Sequence, residues 1–143
     1  KIRKAFDGME ALDLIKMDKP DLVLLDVMLP ELDGFSLCKI IKEDNNFKSI
    51  QVIMLTAKKM EEDILKGLDK NKENYRVVVD RREAIKEAIE MAQKDDIVII
   101  AGKGHETYQL IKGVKVPFSE REIVKEEARK ILESRKDEIM IAN

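Results

Sequence analysis

The stretch "DLVLLDVMLPELDGF", residues 21–35, decides how this chain folds. Leu22 to Leu25 form an unbroken apolar run, the pattern of a strand buried on both faces of a parallel sheet. Asp26 ends the run, and Pro30 and Gly34 turn the chain directly after it. An acidic side chain is thereby delivered to the rim of a buried strand. A carboxylate in that place needs helpers before it can do chemistry, so the rest of the chain must be searched for them.

Outward from this strand, apolar runs alternate with helical periodicity. "IRKAF" (residues 2–6) reads as a strand, and Met9, Leu12, Ile15 and Met17 lie on one side of a helix over residues 8–18. Phe35, Leu37, Ile40 and Ile41 mark a second helix, "QVIML" (residues 51–55) a strand, and Ile64, Leu65 and Leu68 a third helix. "YRVVV" (residues 75–79) is a further strand. It is followed by a helix over residues 82–93, with Ala84, Ile85, Ala88, Ile89 and Ala92 inward, and by the strand "DIVIIA" (residues 96–101). The expectation is an α/β fold with a doubly wound, mainly parallel sheet between two layers of helices. Beyond residue 106 the pattern changes. "TYQLIKGVKVPF" (residues 107–118) places two β-prone runs around Lys112-Gly113, a hairpin signal. Ser119 and Glu122 form a capping box that opens a helix to about Lys136, and "DEIMIAN" (residues 137–143) reads as one more strand.

The 143 residues suit a single domain, with no composition shift to mark a linker. Basic and acidic residues number 27 and 29, for a net charge of -2, and they alternate along the chain; a nucleic-acid partner is not expected. No apolar stretch approaches the ~20 residues that cross a bilayer, and "KIRKAF" lacks the apolar segment of a secretory signal, so a protein without membrane contact is expected. Cys38 and His105 are the only cysteine and histidine, which excludes a disulfide framework and a Cys/His zinc site. A cytoplasmic setting is the expectation, with no metal and no cofactor. Cys38 reads as a small core residue and His105 as a loop residue satisfied by its neighbours.

Residues 1–57 resemble the receiver domain of two-component response regulators, from "AFDGMEALDLI" through "KPDLVLLDVMLPELDGFSLCKIIK" to "QVIMLTA". The resemblance implies a flavodoxin-like fold in which Asp26 matches the phosphoacceptor and Thr56 the hydroxyl residue that binds the phosphate and switches the domain. Phosphoryl transfer to a carboxylate also requires Mg²⁺ and a cation to neutralise the transferring group. The family supplies an acidic pair at the end of its first strand and a lysine at the end of its fifth. Neither motif stands in its usual place here, so Asp26 and Thr56 are read as vestigial, and Asp26 as an ordinary strand-end carboxylate.

Residues 62–125 resemble the carboxy-terminal domain of the Mur ligases, the one that adds the third amino acid of the muramoyl peptide. "EDILKGL", "VVVDRREAIKEAIEMA", "DIVIIAGKGHETYQ" and "VPFSERE" carry this. The resemblance implies that Gly102 and Glu106 match positions that hold the added amino acid. The family's "S-D-N-P-R" partner stretch is replaced by "TAKKM", and "AGKGHE" is not a phosphate-binding G-x-x-x-x-G-K-[ST] loop. Gly102 and Glu106 are therefore also read as vestigial, and Lys103 has no sequence signal that places it near Asp26.

The two resemblances meet at a seam over residues 58–61, where both parents place a helix after a parallel strand; one continuous helix over residues 60–69 is expected across it. The whole reads as a chimera, assembled by deliberate construction, with a receiver-like half (1–57), a ligase-like half (62–136) and a carboxy-terminal strand (137–143). No catalytic function is expected. The alternatives are a degenerate phosphoacceptor module using Asp26 and an amino-acid-binding remnant using Gly102 and Glu106. In the receiver strand order 2-1-3-4-5 the first strand lies between those matching "IRKAF" and "DLVLLDV". Residues 139–142 are expected to fill that slot, from the same chain or, by strand exchange, from a second copy in a homodimer.

Overall fold

The computed structural model describes residues 1–56, 75–102 and 108–142. Its main sheet holds β1 (Ile2–Ala5), β2 (Leu22–Asp26), β3 (Gln51–Leu55), β4 (Tyr75–Val78) and β5 (Val98–Ala101). Their spatial order is β1-β5-β2-β3-β4 and every pairing is parallel. This is the flavodoxin-like order 2-1-3-4-5, with β1, β2 and β3 in the second, third and fourth places. β5 takes the first place and β4 the fifth.

Side chains leave each strand in alternation, so one residue set faces each helical layer. Val23, Leu25, Val52, Met54, Ile99 and Ala101 share a core with α1 (Gly8–Met17) and α2 (Gly34–Glu43), through Ala11, Leu12, Ile15, Leu37, Cys38 and Ile41. Leu22, Leu24, Ile53, Leu55, Val98 and Ile100 face the other layer, where α3 (Arg81–Met91) and α4 (Glu120–Ala142) present Ala84, Ile85, Ala88, Ile89, Ile123 and Val124. Each of α1, α2 and α3 starts on an aspartate. Asp7, Asp33 and Asp80 accept hydrogen bonds from the backbone N–H of Glu10, Ser36 and Glu83 at 2.8, 2.9 and 2.8 Å, satisfying donors that a helix start leaves free.

The hairpin lies where the sequence predicts it. β6 (Tyr108–Ile111) and β7 (Val114–Pro117) pair antiparallel. Lys112 and Gly113 turn with φ of 50° and 78°, the doubly left-handed geometry that matches strand twist in a two-residue turn. Cys38 is fully buried in the core, as its position on the apolar side of α2 requires.

The carboxy-terminal strand is not formed. α4 runs without interruption from Glu120 to Ala142, so residues 137–142 are helical, and the helix does not stop near Lys136. The slot between β1 and β2 is filled by β5 instead. The physical reason is local. No glycine or proline follows Ser119, and ion pairs such as Lys130 to Glu126, 2.9 Å apart one turn away, support the helix, so extension costs little once the first turn exists. The β propensity of "IMIA" is outweighed. The expected third helix and the continuous helix over residues 60–69 lie outside the described residues.

Candidate functional site at the carboxyl edge of the sheet

In a parallel sheet all strands end on one edge, so residues far apart in sequence meet there. β2 ends on Asp26, and Arg81 is the first residue of α3, three residues past the "VV" that closes β4. The Arg81 guanidinium binds both carboxylates that face it. Its Nη2 donates to Asp26 Oδ2, and its Nη1 donates to Glu120 Oε2 at 3.1 Å. Glu120 opens α4 and is buried, with a side chain only 4% exposed against 14% for Asp26. Its other oxygen, Oε1, is buried and accepts no hydrogen bond among the described residues; the Lys4 ammonium stands 3.6 Å from it. The result is a chain of alternating charge, Asp26–Arg81–Glu120–Lys4.

Backbone geometry holds Asp26 in place. Its Oδ1 accepts the Met28 N–H at 2.9 Å, and Gly34 N–H donates to Val27 O at 3.1 Å as the chain folds back over the strand end. A Cβ on residue 34 would sit 2.2 Å from the Asp26 carbonyl oxygen, so this close approach requires glycine. Thr56 follows β3 next to Asp26's strand, is buried, and donates its N–H to Val78 O at 3.1 Å.

Gly102 follows β5 and donates its N–H to Ala5 O at 3.0 Å. A Cβ there would lie 3.7 Å from both Arg81 Nη1 and Asp26 Cβ, and 3.8 Å from Glu120 Oε2. Asp26 and Gly102, singled out on two separate resemblances, therefore stand side by side. Glu106, Lys103 and His105 lie outside the described residues.

Arg81, Glu120 and Lys4 are site residues that the sequence reading does not single out. A signal for Arg81 exists in its position: it follows the strand in the fifth place of the sheet, where the receiver family keeps a lysine. The family's other helper, an acidic pair after the matching strand, has no counterpart among the described residues there: β5 ends on Ala101 and Gly102 follows it. Magnesium needs several oxygen ligands around one point. Here the Asp26 carboxylate is taken by a guanidinium, Glu120 is shared by two cations, and the described residues contain no cluster of acidic or histidine side chains suited to a metal. The described residues do not fit the ion.

The family model described as response regulator receiver domain matches residues 1–90 of the chain. The chain belongs to the response regulator receiver family. The match includes β4 and most of α3, in keeping with the fifth place that β4 holds in the sheet.

This receiver-family chain also carries a second likeness, over its carboxy-terminal half. It is 66% identical over 64 residues to the UDP-N-acetylmuramoyl-L-alanyl-D-glutamate--2,6-diaminopimelate ligase of Clostridioides difficile (strain 630), covering 45% of this chain and 13% of that protein. With the ligase of the same description from Aquifex aeolicus (strain VF5) it shares 56% identity over 68 residues, 48% of this chain and 14% of the relative. The chain thus spans about an eighth of the length of the curated relatives it matches. A solved structure of a ligase with that description superimposes on 90% of this chain and 28% of its own, at a TM-score of 0.67 and 24% identity. That likeness concerns the fold alone. It extends across nearly the whole receiver-family chain, so segments similar to two families occupy a single sheet, and the protein is composite.

Proposed function

We propose that this composite chain has no catalytic function of its own and that Asp26 serves as an ion-pair anchor between its two halves. The observation that carries this reading is the Arg81 guanidinium on the Asp26 carboxylate. A carboxylate acts as a phosphoryl acceptor when a lone pair is free to attack and its surroundings neutralise the incoming charge. Arg81 occupies the Oδ2 face of Asp26, and the described donor set offers no magnesium site to neutralise the incoming charge. Neither segment keeps the complete motif set of the family it resembles, which supports deliberate assembly as the origin of the join.

A second reading has its own support. Arg81 stands where the family keeps its lysine, so Asp26 with Arg81 would form a degenerate phosphoacceptor. One experiment separates the two. Incubation with acetyl phosphate and Mg²⁺, followed by intact mass measurement, should leave the protein unmodified; an adduct that disappears in Asp26→Asn would establish the second reading and sink the first.

A further inference from the structure

Within residues 1–56, β1 and β2 are not neighbours. Every ladder position of β1, from Ile2 to Ala5, pairs with Val98 to Ala101 of β5, whose opposite edge pairs with Leu22 to Leu25 of β2. The amino-terminal segment thus holds a gap one strand wide, about 10 Å across, lined on both sides by backbone groups. The occupant is tightly specified. Ile99 and Ala101 enter one core and Val98 and Ile100 the other, so all four positions must be apolar. At the entry, Val98 N–H donates to Lys1 O at 2.8 Å and Asp21 N–H to Ile97 O at 2.9 Å; at the exit, Gly102 N–H donates to Ala5 O at 3.0 Å. Residue 102 stands against the ion-paired rim: a Cβ there would meet Arg81 Nη1 and Asp26 Cβ at 3.7 Å.

The same carboxy-terminal segment grips elsewhere too. β4 covers the outer edge of β3, and α3 and α4 cover Leu22, Leu24, Ile53 and Leu55 on one face. The ion pairs Asp26–Arg81 and Lys4–Glu120 cross between the same two segments.

We infer that the gap between β1 and β2 is a strand-docking surface in its own right. Its partner is a parallel strand apolar on both faces, carried by the unit of residues 75–142, and the two segments remain one folded particle when the chain between them is cut. The attachment is insertion, not tethering.

The test uses the full chain, with a protease site flanked by glycine and serine inserted between residues 57 and 74 and cleaved to completion after folding. Native mass measurement and size exclusion at micromolar concentration should show both fragments in one particle, and a hundredfold dilution should not part them. Amide hydrogen exchange of Arg3 and Ala5, the ladder residues of β1 that face β5, should match in the cut and uncut proteins within about twofold, since those amides are protected only while β5 is seated. Separation on dilution overturns the inference. So does co-migration with β1 exchanging a hundredfold faster, because the fragments would then be held by other contacts with the slot empty.

Discussion

Asp26 can be read from sequence, whereas its partner is visible only once the strands are ordered in space. The run "LVLLD" predicts a buried strand ending on a carboxylate, and that is what forms. Arg81 lies 55 residues away, and nothing in its helix pattern separates it from Arg82, which points outward to Glu126 at 2.8 Å. The shared guanidinium makes the members of the network unequal. Arg81→Met should cost about 3–5 kcal/mol in urea unfolding, since it leaves the poorly solvated Asp26 carboxylate without its cation and the buried Glu120 with Lys4 alone. Asp26→Asn should cost clearly less, because Arg81 keeps Glu120; equal losses would show that the Asp26 contact carries the network. Asp33, the N-cap of α2, titrates differently. Partial burial acts to raise its pKa and is the largest single influence, but hydrogen bonds from the Ser36 side chain and from backbone N–H groups together hold it below the ordinary carboxylate value. A depressed folded pKa adds stability that is complete above the unfolded value of about 3.9 and is lost as pH falls through the folded one. Asp33→Asn, which can still cap the helix but carries no charge, should therefore flatten stability against pH in that acidic window and lower it at neutral pH, where the ionised Asp33 contributes in full. Unfolding curves collected across the window check the sign.

At the scale of elements, strands and helices were legible because their signals are local: apolar runs for β2, β3 and β5, one-sided apolar periodicity for α1 and α3, and Lys112-Gly113 for the hairpin turn. The chain end was not. "IMIA" has the composition of a strand, yet it continues a helix already nucleated at Ser119, whose Oγ accepts the Glu122 N–H at 3.4 Å. Propensity ranks alternatives of comparable cost, and here the helix had only to grow. Removing residues 137–143 accordingly takes away a helix end and no strand of the main sheet. The truncated protein should keep a single cooperative melt and lose helical circular dichroism in proportion to the residues removed. Loss of cooperativity would mean that the last turns of α4 hold the sheet after all.

At the scale of the molecule, the order 2-1-3-4-5 was foreseen and the identity of the strand in the first place was not. Both candidate strands are apolar, follow helices and lie late in the chain, and only β5 has partners on both sides in the structure. A central strand couples its neighbours, so damage to β5 should spread both ways. Ile100→Ala, at a position 2% exposed, should cost about 2–5 kcal/mol and speed amide exchange in β1 and β2 together. Faster exchange in only one of them would contradict the central placement. The same arrangement governs the order of events during synthesis. A ribosome releases Ile2 to Ala5 long before Val98 to Ala101, the segment with which they pair. At about 5–20 residues per second the nascent chain carries an unmatched strand for several seconds, with the edge of β2 bare beside it. Such a product depends on chaperones or on fast translation of its middle section, and rare codons between residues 57 and 97 should lower its soluble yield without altering a single amino acid.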